Sequence, residues 1–138
     1  LIDLLVVMGI IALLTTTAIP YFKKYQPSLK LTGAARHLTS DLRYAQQLTV
    51  TEQKVYIVSF DISRDRYSIL KLGTAATTIK TVSLDAEIKI KSVSDLANNQ
   101  VVFNFYGGVS QSGTVTLTNS NNVDAIINIK PSGYIQLE

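Results

Sequence analysis

The chain has 138 residues, of which 46% are hydrophobic, and it carries a net charge of +3. This length fits one domain plus a terminal segment, and the absence of cysteine excludes a disulfide framework, a thiol nucleophile and a zinc–thiolate site. The positive excess lies in residues 1–50, with five basic against two acidic residues, whereas residues 51–138 carry eight of each. Basic residues beside an apolar segment favour a headgroup-facing stretch over a nucleic-acid-binding stripe.

The first nineteen residues form one apolar run. Fourteen of them are Leu, Ile, Val, Met or Ala, and Asp3 is the one charged residue. As a helix, the run spans about 28 Å, close to the hydrocarbon thickness of a bilayer. We therefore predict a helix that lies in lipid or packs against copies of itself. No basic residue precedes the run and no Ala-x-Ala pattern follows it before Pro20, so we do not expect a cleaved signal peptide.

Asp3 is the unusual residue of this run, because a carboxylate at the centre of a membrane helix costs about 2.5–3.5 kcal/mol. Two interpretations stay open. Asp3 lies at the membrane surface, where the dipole of the first helical turn favours an acid, or it meets a positive partner in an apolar environment. The nearest candidate for such a partner is the α-amino group of a neighbouring copy.

The string Leu1-Ile2-Asp3-Leu4-Leu5-Val6-Val7-Met8-Gly9-Ile10-Ile11-Ala12-Leu13-Leu14, followed by Ala18-Ile19-Pro20, resembles the N-terminus of type IV pilins and type II secretion pseudopilins. Mature chains of that family usually begin Phe-Thr-Leu-Ile-Glu-Leu-Leu, and the interval from Asp3 to Pro20 matches the family's interval from acid to proline. Two features depart from the pattern. The usual Glu is Asp3, and the family's first two residues have no counterpart, so we expect the chain to begin just inside the mature protein.

The resemblance implies a structural subunit of a pilus-like filament, with Asp3 neutralising the N-terminal amine of a neighbouring subunit and with helix breaks at Gly9 and Pro20. It also implies an inner-membrane location before assembly, an extracellular filament afterwards, and two kinds of partner: copies of the chain itself and the pilus or secretion assembly machinery. Because Thr15–Thr17 are weak helix formers, we predict that residues 12–20 loosen on assembly. The residues expected to pack in the filament core are Leu4, Leu5, Val6, Val7, Met8, Ile10, Ile11, Leu13 and Leu14.

After this run the sequence predicts an aromatic and basic interfacial belt, Tyr21–Tyr25, and a second kink at Pro27. From Ser28 to about Glu52, apolar residues recur at steps of three and four, which is typical of an amphipathic helix. The only histidine, His37, is expected at an exposed or interfacial position of that helix. The predicted apolar face comprises Leu31, Ala34, Ala35, Leu38, Leu42, Ala45, Leu48 and Thr49. The predicted polar side comprises Arg36, Asp41, Arg43, Gln46 and Gln47.

From residue 54 onward the pattern is that of β-strands separated by turns. We predict a hairpin that joins the third and fourth strands across Asp85-Ala86, and a strand with Val101, Phe103 and Phe105 on one face. The predicted strands are Val55–Phe60, Tyr67–Leu72, Thr77–Leu84, Glu87–Val93, Val101–Tyr106, Thr114–Thr118, Val123–Lys130 and Tyr134–Leu137. The fold class is therefore α+β: a long N-terminal helix (apolar in 1–27, amphipathic in 28–53) packed on a mostly antiparallel β domain (54–138).

The C-terminal region supports a narrower resemblance. Two stretches are similar to GspH/FimT-like pilins: the helix end Ala34-Ala35…Leu42-Arg43-Tyr44-Ala45, which leads into Val55-Tyr56-Ile57-Val58, and the later stretch from Phe103 to Ile135. That group contains minor pilins and secretion pseudopilins, and a minor role is therefore one alternative to the role of main filament subunit. A membrane-anchored module that binds DNA or another ligand is a second alternative, weakened because Gly133-Tyr134 replaces the group's usual Gly-Arg.

The sequence favours no enzymatic role. No Ser-His-Asp constellation, P-loop or GxGxxG motif is present. Asp61, Asp65 and the 119–124 segment leave a calcium site open as an alternative to ordinary solvated loops. The solvated loops are the favoured interpretation, so we expect no metal and no cofactor.

Overall fold

The computed structural model describes all 138 residues and begins with one helix, α1 (Ile2–Glu52), which is about 76 Å long at 1.5 Å per residue. The helix runs without interruption through Gly9, Pro20 and Pro27. The single chain therefore has no break at Gly9 or Pro20. Each proline removes one backbone hydrogen bond, but residues 16–26 are exposed, so the carbonyl groups left free face solvent. Loosening of residues 12–20 within a filament stays a prediction.

Eight strands follow α1, whose C-cap residue, Gln53, has the left-handed conformation with φ 51°. They form two four-stranded antiparallel sheets, in the orders β3-β2-β1-β5 and β4-β6-β7-β8. The predicted α+β class is confirmed. The strands are β1 (Tyr56–Asp61), β2 (Arg66–Lys71), β3 (Thr77–Ser83), β4 (Ile88–Ser94), β5 (Gln100–Phe103), β6 (Gly113–Asn119), β7 (Asp124–Ile129) and β8 (Ile135–Leu137).

The predicted hairpin between the third and fourth strands is wrong. β3 pairs with β2, β4 pairs with β6, and the Asp85-Ala86 link crosses from one sheet to the other. The reason is that alternation of apolar and polar residues identifies a strand but not its partner. Both strands find better partners elsewhere. β4 turns Ile88 and Ile90 inward beside Leu117 of β6, where all three side chains are buried.

The placement of Phe105 on one face with Val101 and Phe103 is also wrong. β5 ends at Phe103, and the Asn104 side-chain oxygen accepts hydrogen bonds from the backbone N–H groups of Tyr106 and Gly108. This tight turn ends the alternation of the strand, so Phe105 is exposed while Val101 and Phe103 are buried.

The core lies between the second half of α1 and the inner faces of the two sheets. It contains 22 buried hydrophobic residues, and α1 contributes Leu31, Ala35, Leu38, Leu42 and Ala45 from one face. The predicted apolar face of the amphipathic segment is therefore confirmed. The assignment of Asp41 to the polar side is wrong, because Asp41 is only 6% exposed and faces the sheets.

Candidate assembly interface

The first half of α1 makes almost no contact with the rest of the chain. Residues 1–26 are all exposed, and Pro27 is the first buried residue of the helix. By length and composition α1 is apolar enough in this half to cross a membrane. The nine residues predicted to pack in a filament core are between 52% and 71% exposed. Such an extended apolar surface is a site of protein or membrane contact.

Asp3 lies in the first turn of α1, where its carboxylate is favourably placed relative to the helix dipole. Its side chain is exposed, and its neighbours along the helix include the apolar side chains of Leu4 and Val7. The partner proposed for Asp3 belongs to another copy of the chain, so that pairing stays a prediction. The geometry satisfies one precondition, because the carboxylate is accessible from outside the subunit.

The β domain first touches the helix at the end of the aromatic belt. The side-chain amide of Asn121, in the turn between β6 and β7, donates to the carbonyl oxygen of Lys24 at 3.3 Å. Tyr21, Phe22 and Tyr25 remain exposed beside it. These amphipathic rings, together with the neighbouring lysines, suit the boundary between an apolar phase and water. Contact between the β domain and α1 therefore begins where the apolar surface of the helix ends.

A polar cluster fixes the second half of α1 on the first sheet. Tyr67 of β2 donates its hydroxyl proton to Asp41 Oδ2 at 2.7 Å, and Lys80 Nζ of β3 lies 2.8 and 2.9 Å from the two Asp41 oxygens. Burial, and then the hydrogen bond to Asp41, raise the pKa of Tyr67 far above its ordinary value. The buried carboxylate is thus satisfied by one phenol and one ammonium group from two different strands.

His37 completes the outer side of this cluster. Its Nδ1 lies 3.0 Å from the Tyr67 hydroxyl oxygen and 3.4 Å from Asp41 Oδ2. The Tyr67 hydroxyl uses its only hydrogen in the hydrogen bond to Asp41. Nδ1 of His37 is therefore the donor in the hydrogen bond to the phenol oxygen. The His37 side chain is 55% exposed, in agreement with the predicted exposed or interfacial position.

Gln46 fastens two turns of the β domain to the end of the helix. Its Nε2 donates to the carbonyl oxygens of Gly107 at 2.6 Å and Gly133 at 3.1 Å. Gly133 has φ +82°, and a Cβ at this position would overlap the Gly107 carbonyl oxygen. Gln46 was predicted on the polar side of α1, but its side-chain amide is part-buried and joins the helix to these two turns.

The carboxylates of the acidic loops are paired with hydrogen-bond donors and basic side chains of the chain itself. Asp61 faces Arg64 and Arg66, and Asp65 accepts from the backbone N–H of Ile90 at 2.9 Å. Asp124 forms an ion pair with Lys91. No group of three or more acidic or histidine side chains is arranged to hold a metal ion. Each of these loop carboxylates therefore has a donor of the chain itself as its partner.

A β domain carried on a helix whose apolar half stands free defines a class of subunits that attach to a membrane, or to one another, through that helix. The family model for the type II transport protein GspH matches residues 34–133, which cover the second half of α1 and nearly the whole β domain. The chain belongs to the GspH family of pseudopilins and related pilins.

Two solved structures share the fold. The minor pseudopilin EpsH of the type 2 secretion system of Vibrio cholerae superposes with a TM-score of 0.68 at 11% identity, over 79% of this chain and 96% of that one. The type IV minor pilin FimU of Pseudomonas aeruginosa gives a TM-score of 0.63 at 18% identity, over 86% of this chain and 92% of that one. No curated protein sequence matches the chain.

Sequence reasoning identified the apolar surface and selected Asp3, whose role stays a prediction, but it missed the polar cluster and the Gln46 contacts. A signal for the cluster was present. Asp41 lies three residues after Leu38 and four before Ala45, so helical spacing alone puts it on the buried face. No comparable signal identified Lys80 or Tyr67, because their approach to Asp41 depends on how the sheet packs against the helix.

Proposed function

We propose that this chain is a minor structural subunit of a pilin-type filament, belonging to a secretion system or to a pilus. The observation that carries the proposal is the free apolar half of α1, which leaves twelve large hydrophobic side chains of residues 1–19 without partners in the single chain. Burial of this surface against other subunits supplies the main cohesion of the filament. The membrane holds the same surface before assembly.

A minor role is supported by the family and by the two relatives of like fold, one a minor pseudopilin and the other a minor pilin. The competing role, that of the main subunit, is supported by the complete apolar run and by Asp3. The two roles differ in abundance within the fibre. The part played by the domain is structural in this proposal.

Asp3 sets the axial register of the subunit in this proposal. An unpaired charge in a dry helical core is costly, so a subunit out of register leaves both Asp3 and a neighbour's ammonium group unsatisfied. Attraction between these two groups guides the incoming subunit to the position where both are paired. The acid of one subunit therefore serves the placement of the next.

The experiment is quantitative mass spectrometry of fibres sheared from cells, with the membrane fraction measured in parallel. A minor subunit is found in the fibres at a small fraction of the amount of the main band. If this chain is itself the main band, the minor role is wrong and the chain is the principal subunit. If the chain stays wholly in the membrane while fibres form without it, the filament proposal fails.

A further inference from the structure

The attachment of α1 to the β domain changes abruptly at Pro27. On the C-terminal side of this residue, Leu31 is buried in the core and Lys30 forms ion pairs with two carboxylates of the link between β3 and β4. On the N-terminal side, residues 1–26 are all exposed. Residues 28–52 therefore form one body with the domain, whereas the first half of the helix is held in place mainly by the continuity of the helix itself.

The proline at this boundary weakens the helix where its support ends. Pro27 has no backbone N–H, so the Lys23 carbonyl lacks its donor within the helix, and the proline ring crowds that carbonyl. Relief of this crowding opens the side of the helix on which the proline lies, so the kink bends the helix away from that side. Pro27 is buried on the side of α1 that faces the domain. Bending at Pro27 therefore moves the apolar half of α1 away from the domain.

One hydrogen bond opposes this movement. The side-chain amide of Asn121, in the turn between β6 and β7, donates to the Lys24 carbonyl oxygen at 3.3 Å, and no other hydrogen bond joins residues 1–26 to the domain. The turn that carries Asn121 is firmly built, since Asn119 Oδ1 accepts the backbone N–H groups of Asn121 and Val123, each at 2.9 Å. The bond to Lys24 spans the gap that such bending would open.

This contact is weak enough to open and close. The hydrogen bond from Asn121 is exposed and long, so water replaces it at small cost. A second amide of the same turn, Asn119 Nδ2, is buried but has no hydrogen-bond partner within the chain. An unpaired buried donor destabilises the arrangement that buries it. The closed arrangement is therefore only modestly favoured over one in which the turn and the helix have separated.

We propose that Pro27 is a hinge of α1 and that the Asn121 side chain is the strap that holds this hinge closed. In the closed form, which is the form of this structure, α1 continues from its apolar half into the domain. When the strap is released, the helix bends at Pro27 and the domain takes a second orientation relative to the apolar half. The device belongs to the single chain and does not depend on the filament role.

The test measures distances between pairs of spin labels in the full chain in detergent micelles. The chain has no cysteine, so labels attach only at the two cysteines that are introduced. Ala12→Cys with Lys89→Cys spans the hinge, whereas Arg36→Cys with Lys89→Cys lies wholly on the domain side of it, and all three positions are exposed. A bend of about 20° displaces residue 12, which lies about 22 Å along the helix from Pro27, by about 8 Å.

Three substitutions test the strap and the hinge separately. Asn121→Ala removes the donor of the strap and is expected to raise the ratio of long-distance to short-distance populations about fivefold, the effect of losing one ordinary hydrogen bond. Ser120→Ala is the matched control, because the Ser120 side chain is exposed in the same turn and makes no hydrogen bond, and it should leave the ratio unchanged. Pro27→Ala restores the backbone N–H and is expected to abolish the long-distance population, alone and together with Asn121→Ala.

The outcomes decide between the strap, the hinge and neither. A rise of the long-distance population in the Asn121 variant, lost again when Pro27 is also replaced, supports the proposal if the thermal unfolding of the Asn121 and Ser120 variants is equal. An unchanged ratio in the Asn121 variant overturns the strap. A long-distance population that persists in the Pro27 variant, or a shift of the control distance, overturns the hinge. Recovery of the chain in sheared fibres is a separate result and tests only the proposed function.

Discussion

At the scale of single residues, two acids of α1 play opposite parts. Asp41 is buried and receives both its partners, Tyr67 and Lys80, from within the subunit. Asp3 is exposed, and the proposed function assigns its partner to a neighbour. The same side chain thus fixes the fold at one position and is free for assembly at the other.

We expect Asp41→Asn to lower the free energy of unfolding by about 2 kcal/mol, because it leaves Lys80 without its counter-ion and disrupts the acceptor of the Tyr67 hydroxyl. The measurement is chemical denaturation of the full chain in detergent. Asp95→Asn is the matched control, since Asp95 is exposed and unpaired, and it should change the stability by less than about 0.5 kcal/mol. Equal effects of the two substitutions would contradict the structural role of the cluster.

We expect Asp3→Ala to reduce recovery of the chain in sheared fibres by about tenfold, which corresponds to roughly 1.4 kcal/mol of lost pairing. Asp3→Glu restores the carboxylate and should retain most of the recovery. Neither substitution touches the β domain, so the thermal unfolding of the domain should be unchanged. Normal incorporation of the Ala variant would refute the role of Asp3 in axial register.

At the scale of secondary-structure elements, the sequence predicted α1 and all eight strands but not how the strands are arranged. The helix and the strands follow from spacing along the chain, which is local. The partners of β3 and β4 depend on packing between residues that are distant in sequence, and β4 pairs with a strand that begins nineteen residues after it ends. The end of β5 was missed because the turn depends on hydrogen bonds to the side chain of Asn104.

The family resemblance supplied Asp3 and the proposed filament role. Helical spacing could have identified Asp41 of the polar cluster, whereas its partners Tyr67 and Lys80 became visible only in the folded chain. The two prolines of α1 show the same difference between a local signal and the folded structure. Pro20 and Pro27 predict breaks because each removes a backbone hydrogen bond, yet α1 is continuous in the single chain. The lost hydrogen bond identifies where the helix is weakest, but contacts with the surroundings determine whether the helix bends there.

Two glycines give opposite predictions for the same substitution. Gly133→Ala should lower the free energy of unfolding by more than about 2 kcal/mol, because its φ is +82° and the new Cβ would overlap the Gly107 carbonyl oxygen. Gly33→Ala, on the exposed side of α1 with open space around it, should raise the free energy of unfolding by about 0.5–1 kcal/mol. Denaturant titration of both variants tests the two signs in one experiment.

At the scale of the whole molecule, ion pairs join elements that are far apart in sequence. Lys30 of α1 faces Asp85 and Glu87 on the link between the two sheets. The end of the helix is joined to β2 by Glu52 and Lys71. These pairs lie at the surface, and each contributes modestly to stability. Together they make the attachment of helix to domain sensitive to pH at both extremes.

We expect the chain to lose stability in acid. The hydrogen bond from Lys71 lowers the pKa of Glu52, and a backbone hydrogen bond from Glu87 lowers the pKa of Asp85. A carboxyl group with a lowered folded-state pKa adds stability above its unfolded pKa of about 4, and this stability is lost as the pH falls through the folded value. Thermal unfolding between pH 6 and about pH 2 measures the loss, which should shrink in 1 M salt.

We expect a second loss of stability in alkali. The pKa of Tyr67 is raised by burial and by Asp41, and that of Lys71 by its hydrogen bond to Glu52. Groups with a raised folded-state pKa stabilise the fold below their unfolded pKa of about 10, and this stability is lost as the pH rises above it. Tyr67→Phe should reduce the slope of stability against pH above pH 10, and an unchanged slope would contradict this assignment.

Because α1 is continuous, a small rotation about one end of the helix displaces the other end by a large distance. Gln46, which holds the far turns of the β domain, lies about 66 Å along the helix from Ile2. A tilt of about 5° at the anchored end therefore displaces the Gln46 end by about 6 Å, roughly the spacing between neighbouring strands. In the proposed filament, small rearrangements of the apolar end are in this way amplified at the far end of the β domain, except where α1 bends at Pro20 or Pro27.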